Sequence, residues 1–304
     1  MNAQSRREFL IQSTQLGAAA LAPTWVSRRA SANPLGRPIG IQLYTVNAPM
    51  QEDPAGTLKK LQEIGFGEVE SAGFGKLVAK QFRQLLDDAG LACPSAHLQF
   101  DNLGPAFEDA HTLGAHYATS GSLHPSANDP KVAATAWKPS MNLEGAKRTA
   151  QLANRIGDAA KRAGLQFVYH NHNFEFADQG GGAVCYDVLL RETDPELVKF
   201  EIDCGWMIFA GRNPIDYFKK YPNRFPMIHV KDFLPATDKS AGAVNGAQML
   251  GAELGHGVVD YKPIFAAGGK AGLQHYFVEQ EGPFSRMNQL QAARVDYDYL
   301  HAMG

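Results

Sequence analysis

The sequence predicts an α/β protein, a single-domain (β/α)8 TIM barrel, and three observations carry that reading. Short apolar or β-branched runs alternate with amphipathic stretches, the pattern of parallel strands joined by crossover helices. Eight such runs fit into about 270 residues, the size of such a barrel. The turn after the first run, Tyr44-Thr45-Val46-Asn47, lacks the glycines that an open, doubly wound dinucleotide-binding sheet shows at that place.

In chain order the strand runs are Ile39 to Thr45, Glu68 to Ser71, Ala92 to His97, His116 to Ser120, Gln166 to Asn171, Val198 to Asp203, Met227 to Lys231 and His275 to Glu279. Between them, apolar residues fall three and four apart, as in Leu58, Leu61 and Ile64 or Leu152, Ile156 and Ala160, which places them on one face of a helix. Gly65, Gly90, Gly114 and Gly164 stand where those helices should stop. Two long inserts, Gly121 to Met141 and Phe233 to His256, follow the fourth and seventh strands and are rich in Pro, Gly, Ser and Ala. Both lie on the strand C-terminal side, where a barrel builds its substrate pocket.

The first 32 residues are set apart from this pattern. Ser5-Arg6-Arg7-Glu8-Phe9-Leu10 spells the twin-arginine export signal ahead of a mildly apolar stretch from Ile11 to Pro23, and Ala30-Ser31-Ala32 offers a small-residue cleavage site. The stretch is far short of the roughly 20 apolar residues needed to span a bilayer. The expectation is a twin-arginine signal over 1–32, a barrel over 33–304, recognition by the twin-arginine export machinery, and a periplasmic or exported protein with no membrane insertion.

With 44% apolar and 20% charged residues in 304, the chain can bury a sizeable core. Without residues 1–32, which hold four Arg and one Glu, the formal net charge moves from -2 to -5. That balance argues against nucleic acid, whose phosphates need clustered Lys and Arg. Three cysteines, Cys93, Cys185 and Cys204, contain no CxxC and imply neither a disulfide framework nor a thiolate metal site. A homo-oligomer is compatible with this composition.

Ionisable residues collect where the strands end. Asp203 closes the sixth run; in Met227-Ile228-His229-Val230-Lys231, alternation turns His229 and Lys231 inward; Glu279 closes the eighth; and Tyr169-His170-Asn171-His172-Asn173-Phe174-Glu175 crowds two histidines and a carboxylate into seven residues. Each has an ordinary reading: Asp203 as a helix cap, His229 as a core histidine, Glu279 as a surface acid. Their falling in series at neighbouring strand ends favours a shared site with mixed O and N donors, suited to one divalent ion: Mn, Co, Mg or Zn. Glu70 and His97, ending the second and third strands, are placed to bind substrate. Trp206 beside Asp203 and Trp137 in the fourth-strand insert can stack on a sugar ring. His124 in that insert has no assigned role.

Gly40-Ile41-Gln42-Leu43-Tyr44, Gly65-Phe66-Gly67-Glu68-Val69-Glu70, the string from Tyr169 to Phe176, Asp203-Cys204-Gly205-Trp206, His229-Val230-Lys231-Asp232, Gly255-His256-Gly257-Val258-Val259-Asp260 and Val278-Glu279-Gln280-Glu281 occur in this order and spacing. Together they resemble the xylose isomerase-like TIM-barrel superfamily of sugar isomerases and epimerases, over essentially all of the chain after the signal. The resemblance implies one divalent ion held at the ends of strands five to eight, here by Asp203, His229 and Glu279. The family's glutamate at the end of strand five is replaced by His170, so the fourth ligand is either His170 or Glu175. We take Glu175 as that ligand and assign proton chemistry to Glu279, His170, His172 and Lys231. The implied reaction is proton transfer alpha to a carbonyl: isomerisation or epimerisation by reprotonation, or lyase, dehydratase or hydrolase chemistry on inosose-like substrates or 3-keto-glycosides. An exported address and the lack of a Gly-rich phosphate turn point to an unphosphorylated sugar. A periplasmic sugar-binding protein without turnover is the alternative from outside enzymology.

Overall fold

Eight parallel strands close on themselves around an interior that is apolar at one end and polar at the other. The structure is a computed structural model, described here over residues 33–121, 123, 140–235 and 250–304. Three of the regions singled out above lie outside the described residues: the export signal, the stretch that carries both His124 and Trp137, and the middle of the seventh-strand insert.

In chain order the barrel strands are β1 (Gly40–Gln42), β2 (Glu68–Ala72), β3 (Ala92–His97), β4 (Tyr117–Ser120), β5 (Gln166–His170), β6 (Val198–Asp203) and β7 (Met227–Val230). A short antiparallel pair, β8 (Asp232–Phe233) with β9 (Gly251–Ala252), stands outside the barrel at the two ends of the seventh-strand insert, and β10 (His275–Val278) completes the ring against β1 and β7. All eight strands expected from the sequence are present in the expected order, several of them a residue or more shorter than expected.

Helices cover the outside: α1 (Asn47–Glu52), α2 (Pro54–Ile64), α3 (Ala79–Ala89), α4 (Leu103–Leu113), α5 (Leu143–Arg162), α6 (Cys185–Glu192), α7 (Cys204–Phe209), α8 (Pro214–Lys220), α9 (Tyr261–Lys270) and α10 (Gln289–His301). Their ends follow the local chemistry. Asp53 caps α2 by accepting from the Gly56 N–H, with Pro54 in the first turn, and Gly65, Gly90 and Gly114 end α2, α3 and α4 with positive φ. Asn142 caps α5 through Gly145 N–H. No helix among the described residues is long and apolar enough to cross a membrane. The three cysteines are buried and free.

Alternation along the strands explains the divided interior. Tyr117, Val168, Met227 and Phe277 face inward and pack as a separate apolar cluster that plugs the barrel. Phe277 lies against Gly40, where a Cβ would come within 2.5 Å of its ring, so β1 admits no side chain there. Two and four residues further along the same strands, the inward positions become Thr119, His170 and His172, His229 and Lys231, and Glu279. The polar layer therefore sits at the C-terminal ends of the strands, on top of the plug. The outward residues Phe200, Ile202, Ile228, Val230 and Tyr276 join the main core under the helices.

Candidate active site

Register places the acids and imidazoles beside one another. Asp203 on β6 pairs with His229 on β7, and His170 at the end of β5 pairs with Glu201 on β6. His170, Asp203, His229 and Glu279 are all buried and offer ligand atoms within 4.8 Å of one another; His97, His170, Glu201 and His229 form a second, overlapping group with ligand atoms as close, in which His97 is partly exposed.

His229 organises the site. Its Nδ1 lies 2.9 Å from Glu279 Oε2 and 3.9 Å from Asp203 Oδ2, while Nε2 lies 2.6 Å from Glu70 Oε2 and 3.2 Å from Glu201 Oε2. Glu70 is fixed in turn by the Gln42 amide at 2.8 Å and by the Ser95 hydroxyl, which is itself 2.8 Å from Thr119 Oγ1. His170 Nδ1 meets Glu201 Oε2 at 3.1 Å, and His97 Nε2 lies 3.1 Å from Glu70 and 3.3 Å from Glu201. His170 thus has one nitrogen held by a carboxylate and His229 has both, and a carboxylate on one nitrogen orients a histidine and raises its basicity as a metal ligand through the other.

Charges do not balance with Lys231 alone. Its ammonium lies 2.8 Å from Asp203 Oδ2, 2.8 Å from Glu279 Oε2 and 2.5 Å from Glu281 Oε1, and 5.1 Å over the Trp206 ring. Gly205 makes room for it, since a Cβ there would fall 2.8 Å from Lys231 Cβ. Glu70 and Glu201 remain buried with imidazoles as their only charged partners among the described residues, and Glu201 Oε1 has no hydrogen-bond partner among them. Burial pushes Glu201 up to about 7, with Glu70 adding to it, and burial raises Asp203 to about 6 against the pull of Lys231. Against the effect of burial, Glu70 and Glu201 raise His97 to about 10. Burial and the Lys231 charge push His172 down to about 3, leaving it neutral. A buried carboxylate excess of this kind fits a bound cation.

Above the cluster lies a pocket of about 360 Å³ whose lining includes Gln42, His97, His170, His172, Trp206 and Glu279. Among its described lining residues there is no Lys or Arg.

The expected site residues divide by where the structure puts them. Asp203, His229 and Glu279 come together, and His170 joins them. Glu175 does not. It lies buried in a 3-10 turn, Phe174–Phe176, and its two oxygens accept from Tyr169 Oη at 2.8 Å and from the His172 N–H at 3.0 Å. Those two hydrogen bonds support the turn that carries His172, and burial raises the Glu175 carboxyl to about 7 there. His172 and His97 line the pocket as expected of substrate-facing groups. Trp206 also lines it and donates from Nε1 to Glu281 at 3.1 Å. Glu70, expected to contact substrate, lies beneath the floor with both oxygens engaged. Lys231, expected to act in catalysis, is fully buried among three carboxylates. The sequence reading missed Glu201, although it stands two residues before Asp203 and so faces the same side of β6. It also missed Gln42, Ser95 and Glu281, of which Gln42 and Glu281 line the pocket.

A family model described as the xylose isomerase-like TIM barrel matches residues 58–300. An inosose dehydratase of Lacticaseibacillus casei is 30% identical over 178 residues, 54% of this chain and 57% of the relative; the chain spans about half the length of the curated relatives it matches. Among solved structures, a sugar phosphate isomerase/epimerase from Parabacteroides distasonis superposes with a TM-score of 0.66 at 24% identity, covering 87% of this chain and 93% of the other. A xylose isomerase-like TIM barrel protein from Mycobacterium smegmatis in complex with magnesium gives 0.64 at 18% identity, covering 90% and 99%. At these identities the structural likeness shows the fold alone.

Proposed function

The chain belongs to the xylose isomerase-like TIM-barrel family, and from that premise we propose that it is a divalent-metal-dependent enzyme that moves a proton alpha to a carbonyl of an unphosphorylated keto-sugar or keto-cyclitol. One observation carries this: two imidazoles and two carboxylates from four neighbouring strands, His170, Asp203, His229 and Glu279, converge under a sugar-sized pocket.

These four residues would hold the ion. Two carboxylates balance a divalent charge, and the mixed N and O donors suit Mn, Co or Zn, with Mg also compatible. The place already draws a cation, since the Lys231 ammonium sits between Asp203 and Glu279. When bound, the ion supplies Lewis acidity toward the substrate carbonyl, worth several kcal/mol.

The protein's own groups supply the rest. Glu279 lines the pocket and is placed to take the alpha proton. His97, partly exposed and held between Glu70 and Glu201, is placed to donate to a substrate oxygen, and neutral His172 offers a second hydrogen-bonding group. A positioned acid or base of this kind contributes roughly 10²- to 10⁴-fold. Once the proton has left, reprotonation at carbon gives isomerisation or epimerisation, and departure of a β-hydroxyl gives dehydration. The inosose dehydratase relatives favour dehydration. The absence of Lys and Arg among the described lining residues favours a substrate without phosphate. Arg6 and Arg7 in their context support export to the periplasm as part of the same proposal.

The test is incubation of the protein with Mn²⁺ and an inosose in D2O, followed by NMR and by ultraviolet absorbance of an unsaturated ketone. Exchange at the carbon beside the carbonyl, with or without dehydration, is the expected result. Binding without exchange under Mn, Co, Mg or Zn would instead make the protein a sugar-binding barrel.

A further inference from the structure

Three carboxylates surround the Lys231 ammonium, and they hold it in different ways. Glu281 Oε1 accepts a hydrogen bond from it at 2.5 Å. Asp203 Oδ2 and Glu279 Oε2 each meet it at 2.8 Å as ion pairs, and Asp203 Oδ2 has no hydrogen-bond partner among the described residues. The other oxygen of Asp203 is already engaged, since Oδ1 caps α7 by accepting from the Trp206 N–H at 2.7 Å. Asp203 Oδ2 is therefore a buried oxygen held by charge alone, 3.9 Å from His229 Nδ1.

The lysine is also seated along its length. A Cβ at Gly205 would fall 2.8 to 3.0 Å from Lys231 Cβ, Cγ and Cδ, so the glycine lets the stem lie against the first turn of α7 and leaves the ammonium as the end that can shift. That end lies 5.1 Å over the Trp206 ring, within reach of a cation–π contact. The indole N–H of the same tryptophan donates to Glu281 Oε1 at 3.1 Å. One carboxylate oxygen on the pocket wall thus takes both the ammonium and the indole, and with the ring it makes a seat for a cation outside the group of four candidate ligands.

Charge shows what the seat is for. In the functional reading above, on whose bound ion this inference rests, Asp203 and Glu279 are ligands to a divalent cation. Those two carboxylates balance the ion and leave the ammonium, which meets the same two oxygens, as a surplus positive charge beside it in a buried site. Asp203, Glu279 and Glu281 together carry three negative charges, against two on the ion and one on the ammonium. We propose that Glu281 is a positioning residue for the ion: by holding the Lys231 ammonium against itself and Trp206, it leaves Asp203 Oδ2 and Glu279 Oε2 to a divalent cation of which it is not a ligand.

Glu70 and Glu201 do not take this part. Both face His229 from its other nitrogen, Nε2, and the ion pairs of Lys231 run to Asp203, Glu279 and Glu281. Without the Glu281 charge, the ammonium keeps Asp203 and Glu279 as its anions and competes with the ion for both. Without the ammonium, that competition ends and Glu281 has nothing to hold away. The effect of Glu281 on the ion therefore runs through Lys231, which a double-mutant cycle isolates.

The experiment is calorimetric titration of Mn²⁺ into metal-free wild type, Glu281→Gln, Lys231→Met and the double variant. Glu281→Gln is expected to bind the ion at least tenfold more weakly than wild type, and Lys231→Met at least tenfold more tightly. In the Lys231→Met background, Glu281→Gln is expected to cost less than threefold. Lys231→Gln takes the place of Lys231→Met in the cycle if the latter does not fold without metal. Equal affinity of wild type and Glu281→Gln overturns the proposal. So does a loss by the same factor in both backgrounds, which is what a structural role, or attraction between Glu281 and the ion alone, produces. No substrate enters the titration, so the two readings fail separately. The expected cycle with no exchange of an inosose alpha proton upholds the proposal and overturns the enzymatic reading, whereas no Mn²⁺ bound by any of the four proteins overturns both.

Discussion

The Lys231 ammonium and the Asp203 carboxylate meet at 2.8 Å with both side chains sealed from solvent. Lys231→Met removes the ammonium that three carboxylates, Asp203, Glu279 and Glu281, share and leaves buried charge uncompensated. The expected cost is about 3–5 kcal/mol, read as a drop in Tm of roughly 10 °C. Added Mn²⁺ should restore part of that loss, because the proposed ion meets the same carboxylates. A Tm equal to wild type without metal would show that Lys231 does not hold the site together.

Asp296 on α10 makes a separate prediction. It is almost fully buried, accepts the Leu254 N–H at 2.7 Å through Oδ1, and has no partner on Oδ2. Burial raises it from an ordinary value of 3.8 to about 8, with Glu253 and Asp232 adding to the shift. A carboxyl raised on folding binds more protons folded than unfolded, so its contribution is fully favourable below about pH 4 and is lost as pH rises toward 8. Asp296→Asn keeps an acceptor for Leu254 and removes the titration. Thermal melts from pH 5 to 9 should show the variant gaining on wild type as pH rises; a constant difference across that range contradicts the assignment.

For export, replacing Arg6 and Arg7 together by Lys should leave the precursor in the cytoplasm, measured by fractionation and immunoblotting. Periplasmic accumulation equal to wild type would remove the twin-arginine proposal and leave the barrel chemistry as it stands.

The strands were legible because each carries two signals at once, apolar residues outward and a change from apolar to polar inward. Val168 followed by His170 and His172, and Met227 followed by His229 and Lys231, show both. Glu201 went unread because it lies inside a strand where a wall residue is the default, and its neighbour Asp203 drew the assignment. Gln42 and Ser95 are neutral and single, and only the structure shows that they hold Glu70. Spacing alone does not reveal that a 3-10 turn buries Glu175 against Tyr169. The small β8–β9 pair rests on Asp232, whose oxygens accept N–H groups from Gly255, Gly257, Val258 and Val259. That many-centred turn has no simple sequence period.

Calorimetric titration of Mn²⁺ into metal-free wild type, His229→Ala and Glu175→Gln tests the central claim most directly. The account predicts one ion per chain for wild type, at least a hundredfold weaker binding by His229→Ala, which loses a ligand and its link to Glu70, and one ion with nearly wild-type affinity for Glu175→Gln. Undiminished binding by His229→Ala, or loss of the ion in Glu175→Gln with His229→Ala unaffected, would contradict it.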